Sequence, residues 1–255
     1  MVSFQTLYEA ALLNWGEDKV FALLPEVNTA NELRTTGDER YLSAMARCVF
    51  RAGFSWKVIA KKWPDFETVF SGFVPLALAN YSNDRIDELM QDTRIVRHRT
   101  KIQSVRDNAL YICDIQRSHG SFAAYVADWP EESIVELWLE LKKRGSRLGG
   151  NTGPGFLRLM GKDTFMLSKD VSAVLLNHKL LDTLSPNSKR DLLKVQAVFN
   201  HFQQESCYPL SHISRIMALS LQPQNWAFRR IHGHKKPGSH RVFCISLEGQ
   251  WSIND

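Results

Sequence analysis

The chain has no C-x-x-C pair. Its four cysteines, Cys48, Cys113, Cys207 and Cys244, are scattered through 255 residues, which excludes a disulfide framework and a cysteine-rich zinc site and reads as buried thiols. No run of eighteen apolar residues occurs, and the N-terminus lacks a charged start followed by an apolar core. Neither a membrane span nor a secretory leader is therefore expected, and the expected location is the cytoplasm. No stretch before the tail alternates apolar and polar residues with period two for long enough to predict a strand. Charge of one sign is also scarce: the formal net charge is +5, which permits a nucleic-acid partner without requiring one.

What is present is helical. With 44% hydrophobic and 23% charged residues the chain can bury a sizeable core. Apolar residues recur at helical spacing from Phe4 to Leu24, with Pro25 closing the pattern. Further helices are predicted over Thr29–Leu33, Asp38–Phe50 from an acidic cap, Trp56–Trp63 up to Pro64, Ser82–Gln91, and Arg94 onward to His119, where Gly120 ends it. In the last of these, Ile95, Ile102, Val105 and Ala109 share a face and Arg99, Lys101 and Arg106 lie away from it, as on a solvated surface. Glu131–Leu141, Val171–Leu176, Lys189–Phe202 capped by Ser188, and Leu210–Leu219 complete the set. The tail is different. It mixes Arg229, Arg230, Lys235, Lys236 and Arg241 with His232, His234 and His240, then a V-F-C-I-S run that reads as one strand without an obvious partner. The histidines suit either a metal or a flexible basic arm.

The stretch Lys142–Val171 carries the chemistry. A helix ending in Lys142, Lys143 and Arg144 meets a turn with Gly145, Gly149 and Gly150, and a second helix opens near Thr152. Glycines let backbone N–H groups converge on one anion, and a helix N-terminus with basic residues beside it completes a phosphate clamp. Asp170 follows Thr152 by eighteen residues. This order resembles the helix-hairpin-helix DNA glycosylases of the endonuclease III superfamily. There, an aspartate matching Asp170 in S-K-D-V stabilises the sugar, and strand-cutting members carry a lysine where Asn151 stands. The resemblance implies a monofunctional enzyme. From the residues alone, Asp170 also fits a helix cap before Val171.

The words R-A-G-F-S-W at Arg51–Trp56, F-S-G-F at Phe70–Phe73, R-I-V-R-H-R-T-K-I-Q at Arg94–Gln103, D-N-A at Asp107–Ala109 and L-K-K-R-G at Leu141–Gly145 resemble, in order and spacing, the bacterial 3-methyladenine DNA glycosylase I family. That family's zinc ligands are missing here, so a zinc-free member without a cofactor is implied, and Cys48 stands where the family reads adenine with a glutamate. A thiol cannot accept two hydrogen bonds from an exocyclic amine as a carboxylate does.

The resemblance implies an all-α, two-lobed glycosylase fold over residues 1–220, with the helix-hairpin-helix at about 134–160 and a basic extension over 221–255. The implied activity is removal of alkylated purines of the 3-methyladenine type from damaged duplex DNA, by a monomer with no membrane contact. Its implied residues are Asp170 as catalytic acid, Trp56, Cys48, Tyr8 and Trp15 around the base, and Phe54 as a wedge. For the DNA backbone they are Gly149, Gly150, Thr152, Lys142, Lys143, Arg144 and Arg147, with Arg97 and Lys101 behind them. Two other readings stand beside it: a non-catalytic helix-hairpin-helix protein that binds damaged or structured DNA, and a purely structural helical domain.

Overall fold

The computed structural model describes residues 2–221, 242–245 and 251–254. In chain order the helices are α1 (Phe4–Trp15), α2 (Glu17–Ala22), α3 (Ala30–Thr35), α4 (Asp38–Arg51), α5 (Trp56–Val69), α6 (Pro75–Ala79), α7 (Asn83–Leu89), α8 (Arg99–His119), α9 (Phe122–Asp128), α10 (Ile134–Arg144), α11 (Thr152–Leu159), α12 (Lys169–Asn177), α13 (Lys189–Ser206) and α14 (Leu210–Leu219). Residues 2–221 contain no strand, as the expected all-α class requires. In the tail, β1 (Val242–Ile245) pairs antiparallel with β2 (Trp251–Asn254), so the strand expected to be alone has a partner. The basic residues and histidines between Arg229 and Arg241 lie outside the described residues.

The chain divides into two compact units. One joins residues 1–26 to residues 163–255, and the other is Val27–Lys162. In the first, α14 is the hub for α1, α12 and α13. Asp163 seats its N-terminus: the two carboxylate oxygens accept from the amides of Leu210 at 2.7 Å and Ser211 at 2.8 Å, which satisfies two of the donors a helix start leaves orphaned. Phe165 stacks on Phe199 with centroids 4.1 Å apart. Gly16, with φ +78°, breaks the long helix expected from Phe4 to Leu24 into α1 and α2.

In the second unit α4 and α8 pack together, and Tyr41, Leu42, Met45, Val49 and Phe50 of α4 and Ile102, Val105, Ala109 and Ile112 of α8 are buried. Each side chain of this size contributes about 1.5–3 kcal/mol on burial. Around them Trp63 stacks between Phe66 and Phe73 at 5.0 and 5.6 Å. Pro64 does not end α5, which runs through it to Val69. Asp38 does more than open α4. It accepts from the amides of Phe122 at 2.9 Å and Ala123 at 2.8 Å and caps α9 instead. The unit's first and last turns are stitched together: Asn28 donates its amide to Gly161 O at 2.9 Å and its side-chain nitrogen to Met160 O at 3.1 Å. Gly161 has φ +79°, and a Cβ there would lie 2.5 Å from the Asn28 side chain, so only glycine fits.

Candidate nucleic-acid interface and base site

The helix-hairpin-helix expected from the glycines is present as α10, a turn over 145–151, and α11. Its glycines are needed for different reasons. A Cβ on Gly153 would meet Leu148 O at 2.7 Å, one on Gly145 would meet Leu141 O at 2.7 Å, and Gly150 has φ +60°. The turn is held from outside by Asn108 on α8. Its Oδ1 accepts from Ser146 N at 2.7 Å, and its Nδ2 donates to Ser146 O at 3.1 Å. Asn108 is buried, and it is the middle letter of the D-N-A word, for which the sequence offered a match and no role. The next residue, Arg147, takes φ +63°, a left-handed conformation that a non-glycine residue adopts only where its surroundings impose it.

Beside this turn lies an open hollow of about 310 Å³ lined by Val49, Ala52, Arg147, Gly149 and Thr152. Its size is at the lower end for small-ligand sites, about 300 Å³. One wall is thus the C-terminal end of α4 and the other is the hairpin. Arg147 is exposed and has no hydrogen-bond or ion-pair partner among the described residues. Lys142 and Lys143 are also exposed, and the stem of Lys142 passes the position a Cβ on Gly149 would take, at 3.3 Å. Arg144 is engaged inside the protein. It pairs with Glu140 at 3.1 Å and with Asp114, and lies over the Tyr111 ring at 4.8 Å.

The A-G-F-S turn after α4 carries the next group. Gly53 has φ +83°, which turns the chain into α5, where Trp56 is the first residue and partly exposed. Lys101, expected on a solvated face or at the DNA backbone, is buried. Its Nζ donates to Phe50 O at 3.2 Å and to Ala52 O and sits 4.5 Å from the Phe54 ring. Helical periodicity gave it to the surface, but the orphan carbonyls of α4 take its charge. Phe54, the expected wedge, is packed under that ammonium, with His98 edge-on at 6.4 Å. Arg97 is exposed. Asp92 pairs with Arg94, and Asp107 with Arg106.

Cys48 lies on the last turn of α4. Burial pushes its thiol up to about 11, against the pull of Arg51 and Arg47, so it is neutral at physiological pH. The remaining expected residues sit in the other unit. Tyr8 is stacked on Phe4 at 6.4 Å and tilted on Tyr208 at 5.9 Å. Trp15 donates Nε1–H to Leu219 O at 3.1 Å and lies under Lys19. Asp170 is in the first turn of α12, but it is not the cap. Ser168 is, accepting from Val171 N at 3.1 Å. Arg215, on α14, is buried, donates Nε–H to Leu23 O at 3.1 Å and keeps a buried Nη1 without a hydrogen bond. Burial pulls its guanidinium down to about 10, while the Asp170 carboxylate acts in the opposite direction.

Residues 33–147, from Leu33 on α3 to Arg147 in the hairpin, match the methyladenine glycosylase family. DNA-3-methyladenine glycosylase 1 of Escherichia coli (strain K12) is 32% identical over 76 residues, which are 30% of this chain and 41% of that protein. The chain therefore spans about two fifths of that relative's length. DNA-3-methyladenine glycosylase of Haemophilus influenzae is 28% identical over 130 residues, 44% of this chain and 70% of its own. Among solved structures, the Staphylococcus aureus 3-methyladenine DNA glycosylase I overlaps 58% of this chain and 88% of its own, at 23% identity and TM-score 0.45. The Methanocaldococcus jannaschii 8-oxoguanine glycosylase/lyase, solved with DNA, overlaps 85% of this chain and 95% of its own at 14% identity and TM-score 0.48. Residues 33–147 are thus similar to the methyladenine glycosylase family.

Proposed function

We propose that this chain is a monofunctional DNA glycosylase of base excision repair, acting as a monomer on alkylated purines in duplex DNA. The observation that carries the reading is the locked hairpin that presents Arg147 at the rim of a hollow formed with the A-G-F-S-W end of α4. The exposed cations Lys142, Lys143 and Arg147 suit the phosphate backbone. A base turned out of the stack, at a cost of about a few kcal/mol, needs a cavity and an aromatic face, and Trp56 is the candidate for that face.

The reaction breaks the bond between C1′ and the base nitrogen. The base leaves with the bonding electrons, positive charge develops on the sugar, and a water oxygen closes on C1′ as it gives up a proton. A fixed carboxylate lowers that barrier and orients the water, and Asp170 is assigned that part. Asn151 has no amine with which to form a Schiff base, so strand cleavage is not part of the reaction.

A second reading, a non-catalytic binder of damaged DNA, is favoured by Cys48 in place of a carboxylate. Chromatography of bases released from methylated duplex DNA separates the two. Release by the wild type, lost in Asp170→Asn with DNA binding kept, supports the enzyme. Binding without release of any base supports the binder.

A further inference from the structure

Arg215 lies in the middle of α14 and is only 5% exposed. Burying a guanidinium strips its N–H groups of water, so each needs an acceptor and the charge needs an opposite charge. One acceptor is in place: Nε–H donates to Leu23 O at 3.1 Å. Nη1 is buried with no hydrogen bond. Tethering the chain after α2 does not call for a charge here, because one N–H serves Leu23 O, and His212, one turn earlier, has Nε2 at 2.9 Å from Pro25 O. The opposite charge comes from α12, which packs on α14. Asp170, half-buried in the first turn of α12, is the carboxylate that acts on Arg215. Other charges on the surrounding elements are exposed or already bonded. Glu9 of α1, Glu17, Asp18 and Lys19 of α2, and Lys169 of α12 are exposed, as is Glu26. So are Lys189, Arg190, Lys194, His201 and Glu205 of α13, and His178 after α12. Asp191 accepts from Ser185 N at 2.9 Å, and Asp163 from Leu210 N and Ser211 N.

We infer that Arg215 is a positioning residue for the reaction, a sheltered cation that keeps the Asp170 carboxylate ionised while DNA is bound. The inference rests on the glycosylase reading, in which Asp170 meets the positive charge that develops on the sugar. A phosphate backbone arriving beside a half-buried carboxylate brings like charge, which favours the protonated acid. A protonated acid neither stabilises a cationic sugar nor takes a proton from water. An exposed cation would not counter this, because the phosphates draw such cations to themselves. Arg215 is buried and tied to Leu23 O, so its charge stays with Asp170.

The test is the pH profile of base release by the full-length protein on methylated duplex DNA, in single turnover with protein in excess and corrected for uncatalysed loss. Arg215→Gln keeps a donor for Leu23 O and removes the charge. Arg215→Met, apolar and of similar length, runs beside it in case the glutamine variant does not fold, and Arg215→Lys keeps the charge. With the cation gone the carboxyl protonates at higher pH, so the neutral variants are expected to lose activity on the acid side about one pH unit earlier, with DNA binding kept. The lysine variant is expected to stay nearer the wild type. A slower rate with an unshifted profile, or no change at all, makes Arg215 a structural tether and overturns the inference. Urea unfolding gives a readout that needs no activity. Asp170→Asn and Arg215→Gln together are expected to lower the midpoint no further than the worse of the two alone, since it is breaking the pair from one side that costs most. Additive losses overturn the inference. Absence of base release by the wild type, with midpoints that do not add, overturns the glycosylase reading and leaves the Asp170–Arg215 pair standing.

Discussion

Asn108 grips Ser146 through both ends of its carboxamide, so a buried side chain on α8 sets the backbone of the hairpin between α10 and α11. Replacement by alanine leaves a buried amide and a carbonyl of Ser146 without partners. Asn108→Ala is expected to cost about 2–3 kcal/mol in urea unfolding, from two lost bonds and the desolvation left behind. DNA affinity should fall with it because Arg147 is the next residue along. A variant as stable as the wild type would show that the turn holds itself.

Lys101 is expected to behave as a core residue despite its charge. Lys101→Met keeps the stem but uncaps Phe50 O and Ala52 O, with an expected loss of about 2 kcal/mol. Lys101→Arg should recover little, since a planar fork replaces a point charge in a filled space. Changes to Arg97, which is exposed, should leave the unfolding midpoint within about 0.5 kcal/mol. The salt dependence of DNA binding should respond to Arg97 and not to Lys101.

Glu67 is an acid-sensitive point of the second unit. Burial alone would raise its pKa, but hydrogen bonds from Arg40, Ser43 and Trp63 outweigh burial and hold the carboxyl below its ordinary value. A depressed carboxyl adds stability that is complete above the unfolded-state pKa, near ~4.3, and is lost as pH falls through the lower folded value. Glu67→Gln should therefore be less stable than the wild type by about 1–2 kcal/mol at pH 7, with the gap closing below pH ~4 in acid denaturation. A gap that persisted at low pH would mean that packing, not charge, is responsible.

The thiols should separate by rate. With its pKa pushed up to about 11, Cys48 has only about one thiolate in a thousand at pH 8 and should react slowly with a disulfide reagent. Cys207, exposed at the C-terminal end of α13, should react first. Equal rates would contradict the burial that shifts Cys48.

How far the sequence foretold this molecule depends on the range of the force involved. Local signals carried well. Ser188 caps α13, Gly120 ends α8, and the glycines around Leu148 announce a hairpin, since each acts on its own neighbours. Pro64 misled because a single missing amide is tolerated when Phe66 and Val69 bury the rest of the turn. Lys101, Asp38 and Asp163 were misread or passed over for another reason. Each caps a helix to which it does not belong, and that partner is invisible until the chain is folded. At the site, the words around Trp56 and Asn108 were legible as a resemblance. The grip of Asn108 on Ser146 was not, because it joins residues 38 positions apart that meet only in the folded chain.

The stitch between Asn28 and Gly161 makes the chain leave and return at one point. Residues 29–160 are thus a closed excursion inserted into the path of the polypeptide, and Gly161 is its clasp. An excursion with adjoining ends can grow, shrink or be exchanged without altering the course of the strand that enters or the strand that leaves. The family match, residues 33–147, falls wholly inside it. The segments 1–26 and 163–221, parted in sequence by its whole length, form a unit of their own.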